Sequence, residues 1–148
     1  MHKKKFKYIQ KNQIRIVSFK KKHITHRYVN WLNDKEVVRF SEQRHKIHSI
    51  ESCLEYFQQM EDSENYFLAV EFLKKNKWIH IGNIGASVDL DNKLADLEII
   101  IGDKSQCGKG YGSLAWCLTA TALIEILNLR FVVAGTMAVN QPMLNIFK

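Results

Sequence analysis

The sequence predicts a mixed α/β domain with a mainly antiparallel central sheet flanked by helices, and three observations carry that expectation. Tyr66 to Phe72, Trp78 to Val88 and Leu94 to Ile101 are strand-like runs joined by short polar turns, which reads as an antiparallel meander. Amphipathic helical segments come before the meander, and a charge-free helical run, Leu114 to Ile124, comes after it. Between the last of these strands and that run lies Cys107-Gly108-Lys109-Gly110-Tyr111-Gly112. A strand, a glycine loop and a helix in that order present bare backbone N–H groups and a helix N-terminus to an anion, and a pyrophosphate matches this corner best. The chain of 148 residues is long enough for one domain with a real core, and 46% hydrophobic with 25% charged residues is ordinary globular usage.

Ile14 to Phe19 reads as the first strand, with Ile14, Ile16 and Ser18 on one face and Arg15, Val17 and Phe19 on the other. Thr25 suits the N-cap of a short helix carrying Tyr28, Val29 and Leu32, with Trp31 beside that stripe. Asn33-Asp34 ends it, and Val37, Val38 and Phe40 suggest one further turn. Ser49 suits the N-cap of a second helix, whose Ile50, Cys53, Leu54 and Phe57 fall at i, i+3, i+4 and i+7 and form a core stripe. Within the meander, Lys74 to Lys77 is an exposed turn and Asp91-Asn92 another. Gly82 and Gly85 bracket Asn83 on a strand, where glycine often marks close approach of a ligand or another backbone, so Asn83 is a candidate substrate contact. In the next strand Ala95, Leu97, Ile99 and Ile101 alternate with Asp96, Glu98 and Ile100, which makes Glu98 a carboxylate on a core strand. The run from Leu114 to Ile124 is far shorter than the ~20 residues needed to span a bilayer and reads as a buried core helix. Phe131 to Ala134 is a fifth strand, and Asn140-Gln141-Pro142-Met143 opens another helix with Pro142 in its first turn.

A net charge of +7, with lysines at positions 3, 4, 5, 7 and 11 and again at 20 to 22, gives a field that attracts polyanions. A lysine run is more often a solvated face, and no aromatic-rich RNA-binding motif accompanies this one, so nucleic acid is not the expected partner. The basic N-terminus has no apolar run behind it and does not read as a secretion signal. Cys53, Cys107 and Cys117 form no metal or redox spacing, and their odd number suggests reduced thiols in a cytoplasm. His23/His26 and His45/His48 have i, i+3 spacing, but no carboxylate or cysteine completes a ligand set, so no metal site is expected.

The loop lacks the Gly-x-Gly-x-x-Gly of a dinucleotide fold and the Lys-Ser or Lys-Thr ending of a nucleotide triphosphatase. It resembles instead the acetyl-coenzyme A loop of the GNAT superfamily of N-acetyltransferases, which reads Arg/Gln-x-x-Gly-x-Gly/Ala between a strand and a helix. Cys107 stands at the usual Arg/Gln position, with Gln106 one residue earlier. The run from Trp31 to Val37, followed by Glu42-Gln43-Arg44-His45, is similar to the acceptor-side helices of the amino-sugar and ribosomal-protein branches. Asn140 matches a position where the family commonly has an Asn that reaches the pantetheine or pyrophosphate. The resemblance covers nearly all of the chain. It implies a GNAT-like fold whose last helix is incomplete and whose final strand pair is missing, because Met143 stands where a Ser is usual and the sequence stops at Lys148.

What the resemblance implies for function is acetyl-coenzyme A-dependent transfer of an acetyl group to a primary amine. The coenzyme would be held by Ile100, Ile101, Gln106, Cys107, Gly108, Lys109, Gly110, Tyr111, Gly112, Ser113 and Asn140. Trp31, Asn33, Arg44 and Asn83 would meet the acceptor, and no metal takes part. Glu98 is the expected base: among Leu97, Ile99 and Ile100 it should be desolvated, with a raised pKa, and take the ammonium proton directly or through water. His80, one strand over, is a further candidate for proton transfer. The family often uses a Tyr on the last helix as acid; no Tyr follows Asn140, and Tyr111 lies inside the loop. The expected acceptor is a small molecule such as a nucleotide-linked amino sugar. Acetylation of a protein N-terminus and a coenzyme-binding module without turnover are the alternatives. A strand from Phe131 to Val133 whose expected next neighbour is not encoded before Lys148 would leave an unpaired edge, and so lead either to a homodimer through that edge or to a shortened, less stable form of a longer enzyme.

Overall fold

The computed structural model describes residues 3–39 and 41–133. Six strands form one sheet: β1 (Ile9–Lys11), β2 (Ile14–Ser18), β3 (Tyr66–Lys74), β4 (Lys77–Asp89), β5 (Leu94–Ile101) and β6 (Phe131–Val133). Their spatial order is their order in the chain. All pairings are antiparallel except β5 with β6, which is parallel, with Leu94, Ala95 and Asp96 opposite Phe131, Val132 and Val133. Helices α1 (His26–Asn33) and α2 (Ile50–Glu61) join β2 to β3, and α3 (Tyr111–Leu127) joins β5 to β6.

The period of two in the strands divides the interior into two clusters. Ile14, Ile16, Leu68, Val70, Ile84, Ala86, Ala95 and Leu97 pack with Ala115 and Leu123 of α3 on one face. Phe19, Ala69 and the buried stripes of α1 and α2 pack on the other. The result is a mixed α/β sandwich, as the strand and helix periods predict. Caps set the helix starts: Thr25 accepts a hydrogen bond from the Tyr28 amide, and Ser49 accepts one from the Ser52 amide while the Ser52 hydroxyl accepts from the Ser49 amide.

Several expectations change. The basic N-terminus contains β1, turned back at Asn12, whose φ is 56°. Its lysines are not all solvated: the Lys3 ammonium donates to the Met60 and Asn65 carbonyls (3.2 and 2.7 Å), and Lys4 to the Ile126 carbonyl (3.2 Å), near the C-terminal ends of α2 and α3. Leu54 lies outside the buried stripe of α2 and is exposed. Helix α3 buries only one face, through Ala115, Thr119, Ala122 and Leu123, and leaves Cys117 and Ile124 exposed. No helix among the described residues is long and apolar enough to cross a membrane. Phe131 and Val133 of β6 are exposed. Phe40, Ala134 and the segment carrying Asn140 and Pro142 lie outside the described residues.

A bulge decides the site's geometry. Val70 pairs with Gly82 but Glu71 pairs with His80, so Ile81 is an extra residue on β4. In a regular strand His80 and Asn83 would face opposite sides; the bulge puts them on one face, with His80 Nε2 and Asn83 Oδ1 2.7 Å apart. The same face carries a cross-strand row, Arg15, Glu71 and His80. Glu71 is buried, accepting from Arg15 Nε at 2.6 Å and meeting His23 Nε2 at 3.1 Å. Because His23 Nδ1 accepts the Lys20 amide (2.9 Å), the proton on a neutral His23 belongs on Nε2, aimed at Glu71.

This row predicts how stability depends on pH. Burial alone would raise the pKa of Glu71, but hydrogen bonds from His23 and Arg15, with their charges, outweigh it and hold the carboxyl at about 2 instead of 4.5. Burial pushes His80 down from 6.5 to about 4 against its hydrogen bond to Asn83. Both groups bind protons more weakly folded than unfolded, so each contributes stability at high pH that is lost on acidification. For His80 the loss runs from pH 6.5 towards 4, and for Glu71 from 4.5 towards 2. Each loss is on the order of 3 kcal/mol. Urea unfolding across this range should show the decline, and His80→Gln should flatten it above about pH 4.5. Parallel curves for the two proteins would refute the assignment.

Candidate active site

The first half of the site is the turn after β5. The amides of Gly102 and Asp103 both donate to the Ile81 carbonyl at the bulge (2.9 and 3.2 Å), which fastens the exit of β5 to β4. Gly102 is where the Trp31 ring packs: a Cβ there would lie 2.1 Å from the indole. Gly102→Ala is therefore expected to destabilise the fold by about 1–3 kcal/mol or more, measurable as a lower midpoint in denaturant. Asp103 caps the 3-10 turn Lys104–Gln106 by accepting from the Ser105 amide (3.0 Å) and hydroxyl (2.6 Å). Gln106 is buried, and its Oε1 has no hydrogen-bond partner. Cys107 is exposed, its Sγ 3.7 Å from the Asp103 carbonyl oxygen, and burial followed by the Asp103 and Glu36 charges pushes its thiol pKa up.

Gly108 and Gly110 then adopt φ of 76° and 82°, the left-handed region that side chains avoid, and a Cβ at either would meet only open space. Gly110 is the N-cap of α3 and brings no side chain to it. The first-turn amides of Tyr111, Gly112 and Ser113 have no acceptor inside the helix, and alternating positive-φ residues turn successive amides into a concave anion nest. Arg27 pairs with Asp103 (2.7 Å) and Lys104 with Asp34 and Glu36 (2.9 and 3.1 Å). These exposed pairs add little stability each, but they fix the turn against α1 and the residues just after it.

The second half is a cavity of about 240 Å³ on the face of the sheet that α1 and α2 cover. Its floor is Phe67, Gly85 and Glu98 in one cross-strand row and Asn83 and Ile100 in the next. Tyr28 of α1, Ser52, Cys53 and Tyr56 of α2, and the segment from Lys46 to His48 supply walls. Glu98 is exposed at this floor, and its Oε1 accepts from the Ser41 hydroxyl (3.1 Å). The burial expected for Glu98 is thus absent, because its neighbour Gly85 has no side chain and the cavity opens above it. Tyr56 has its pKa raised by burial and then by the Glu98 charge, which puts the phenol close to that carboxylate. Tyr28 is raised by burial, then by Cys53 and Tyr56, against a hydrogen bond with Asn83.

Glu98, Asn83 and Ile100 come together at this floor, and Ile101 continues β5 to the glycine turn. Trp31, Asn33 and Arg44 do not line the cavity. Trp31 is buried against Gly102 and His80, with Arg27 over its ring at 4.6 Å. Asn33 clamps the segment before α2, its Nδ2 donating to the His48 carbonyl (2.9 Å) and its Oδ1 accepting from the His48 amide (2.8 Å). Arg44 donates to the Ser41 carbonyl (2.8 Å). His80 packs among Phe19, His23, Tyr28 and Trp31 instead of facing the cavity. Ser41 and Tyr56 are not singled out in the sequence, and Tyr28 and Gly85 enter there only as a residue of the α1 stripe and as a glycine flanking Asn83. Ser52, Tyr56 and Gln59, at helical spacing beside the apolar stripe of α2, are the signal that marks its cavity-facing flank. No group of three or more His, Cys, Asp or Glu able to hold a metal exists among the described residues.

A sheet of this order that runs through a glycine turn into the N-terminus of α3 is the architecture of the GNAT class of acetyltransferases. The chain belongs to that family: the family model for the acetyltransferase (GNAT) domain matches residues 13–148. No curated protein matches the sequence. Among solved structures it is similar to the spermidine N-acetyltransferase of Vibrio cholerae in complex with CoA and spermine, with a TM-score of 0.78 and 16% identity over 91% of this chain and 78% of that one. It is also similar to the ribosomal-protein-S5-alanine acetyltransferase of Vibrio fischeri (TM-score 0.74, 16% identity, 95% and 79% covered). A GNAT-family acetyltransferase of Bacillus anthracis is similar to the same degree (TM-score 0.75, 17% identity, 95% and 80% covered).

The family uses acetyl-coenzyme A, and the residues of the turn fit that group. Two left-handed glycines leave the backbone bare, and the capping position of α3 carries no side chain. A diphosphate finds amide donors there and no carboxylate among the residues from Lys104 to Ser113.

Proposed function

We propose that this chain is an acetyl-coenzyme A-dependent N-acetyltransferase acting on the primary amine of a small molecule. The observation that carries the reading is the position of Glu98, a carboxylate on the floor of an amine-sized cavity, on the strand that runs directly into the glycine turn. Bound acetyl-coenzyme A would supply an activated acetyl thioester. Gly108, Gly110 and the first-turn amides of α3 would hold its phosphates, with Gln106, Cys107, Lys109, Tyr111, Gly112 and Ser113 beside them. Ile100 and Ile101 would orient its arm along β5, and Asn140 would complete the set.

Glu98 would remove the proton from the acceptor ammonium, directly or through one water, since it is open to solvent. The Ser41 hydroxyl engages one carboxylate oxygen and leaves the other to face the acceptor. Asn83 would meet the acceptor at the floor. Asn33 and Arg44, which tie the segment between α1 and α2, and Trp31, which seats α1 against Gly102, would act by shaping the wall. A volume of about 240 Å³ encloses only the amine-bearing end of an acceptor, so a nucleotide-linked amino sugar would place its sugar inside and its nucleotide outside. Work in the cytoplasm, where Cys107 and Cys117 stay reduced, belongs to the same proposal.

Mass-spectrometric screening of amines with acetyl-coenzyme A tests this reading. An acetylated amino sugar or other small amine supports it. An acetylated peptide N-terminus as the sole product would replace the acceptor, and coenzyme binding without any product would reduce the chain to a binding module.

A further inference from the structure

Gly85 sits at the centre of the cavity floor, opposite Phe67 on one side and Glu98 on the other. Glycine weakens a strand interior, and a bulge or a tight approach of neighbouring backbone is the usual reason for it. Neither applies here. The bulge lies at Ile81, Gly85 is not among the positive-φ glycines, and a Cβ built on it meets nothing within 4 Å. Gly82, three residues earlier, is the contrasting case, because a Cβ there would lie 2.4 Å from the Ile100 carbonyl oxygen. The space above Gly85 is therefore left empty by the protein and opens into the cavity that Gly85 lines.

That recess has a carboxylate on one side and aromatic surface on the other. Tyr56 stands edge-on to Phe67, with ring centroids 5.2 Å apart, and lies near enough to Glu98 to feel its charge. A carboxylate facing π surfaces across a gap one side chain wide is a seat for a compact ammonium group.

We infer that the acceptor's ammonium group seats over Gly85, between Glu98 and the Phe67 and Tyr56 rings, and that the size of residue 85 determines which amines the site admits. The inference rests on the acetyltransferase reading above for Glu98's role, but the seat itself is defined by packing and charge. It favours a primary amine on a slender carbon over secondary or tertiary amines, whose substituents would need the width that Phe67 and Glu98 occupy.

The test is Gly85→Val, with Gly85→Ala as a smaller step. The Cβ of either side chain meets no protein atom within 4 Å, and valine suits a strand, so the melting temperature should stay level or rise. Spermidine, glucosamine and alaninamide serve as probes, with binding read by saturation-transfer NMR in the presence of coenzyme A and turnover read with acetyl-coenzyme A. For whichever amine the parent takes best, Gly85→Val should raise KM and the NMR dissociation constant by about tenfold or more, with Gly85→Ala between. Coenzyme A affinity should not change. An unchanged KM and dissociation constant in a folded Gly85→Val would overturn the inference, and so would a parent that binds none of the three amines. A parent that binds an amine without acetylating it, and loses that binding in Gly85→Val, would support the seat while removing the acetyltransferase reading.

Discussion

Glu98→Gln is expected to lower turnover by about 10²–10⁴-fold while leaving coenzyme A affinity nearly unchanged. Glutamine keeps the shape of the side chain and can still meet the Ser41 hydroxyl, so the cavity floor should not collapse. What disappears is the ability to hold a proton taken from the acceptor. The coenzyme is bound by backbone groups of the glycine turn, several residues further along the chain, and those are untouched. A loss confined to kcat and kcat/KM, with calorimetric binding of coenzyme A retained, would mark an interaction made in the transition state. A variant with the parent's turnover and the same pH–rate profile would transfer the proton role to water or to another group.

Gly110→Val acts on the other half of the site and should raise the dissociation constant for coenzyme A by about tenfold or more. No protein atom lies within 4 Å of the added Cβ, so the effect starts from the backbone: φ of 82° at the N-cap of α3 is strained for any β-branched residue. Relief of that strain would swing the first-turn amides of Tyr111 to Ser113 away from their common focus, and the added methyl groups would stand where a phosphate has to approach. Calorimetry with coenzyme A on a variant whose circular dichroism matches the parent decides the matter. Equal affinity would remove the turn from the binding site.

The parts of this fold that were legible in the sequence are those governed by local chemistry. Thr25 and Ser49 cap helices as read, because a side-chain oxygen before an apolar stripe needs only its own next three residues to act. The alternation in β5 and the Gly108/Gly110 pair were equally local. What escaped were effects of one segment on another. Strand β1 was hidden in a run of lysines, since its pairing depends on β2 and on the turn at Asn12. The bulge at Ile81 left no mark in the alternation of β4, yet it turns His80 to the face of Asn83, where the rings of Phe19, Tyr28 and Trp31 hold it off the cavity. Trp31 read equally well as a ligand contact or a core residue, and the choice is made by Gly102, some seventy positions away, whose missing side chain admits the indole. Glu98 read as desolvated because its strand neighbours are apolar; its surroundings are set by Gly85 across the ladder, which no inspection of residues 97–100 shows.

The coincidence of strand order with chain order, noted for the sheet, also bears on how the polypeptide is made. Each of β2 to β5 pairs with the strand synthesised just before it, so the antiparallel meander can close as the chain leaves the ribosome, with no strand waiting for a later one. The costly closure comes early, where about fifty residues holding α1 and α2 must fold back before β3 meets β2. The anion turn, α3 and then β6 are added to a meander that already exists. During synthesis the acceptor side therefore takes shape before the coenzyme side, and the nascent protein has a seat for an amine while its phosphate corner is still emerging.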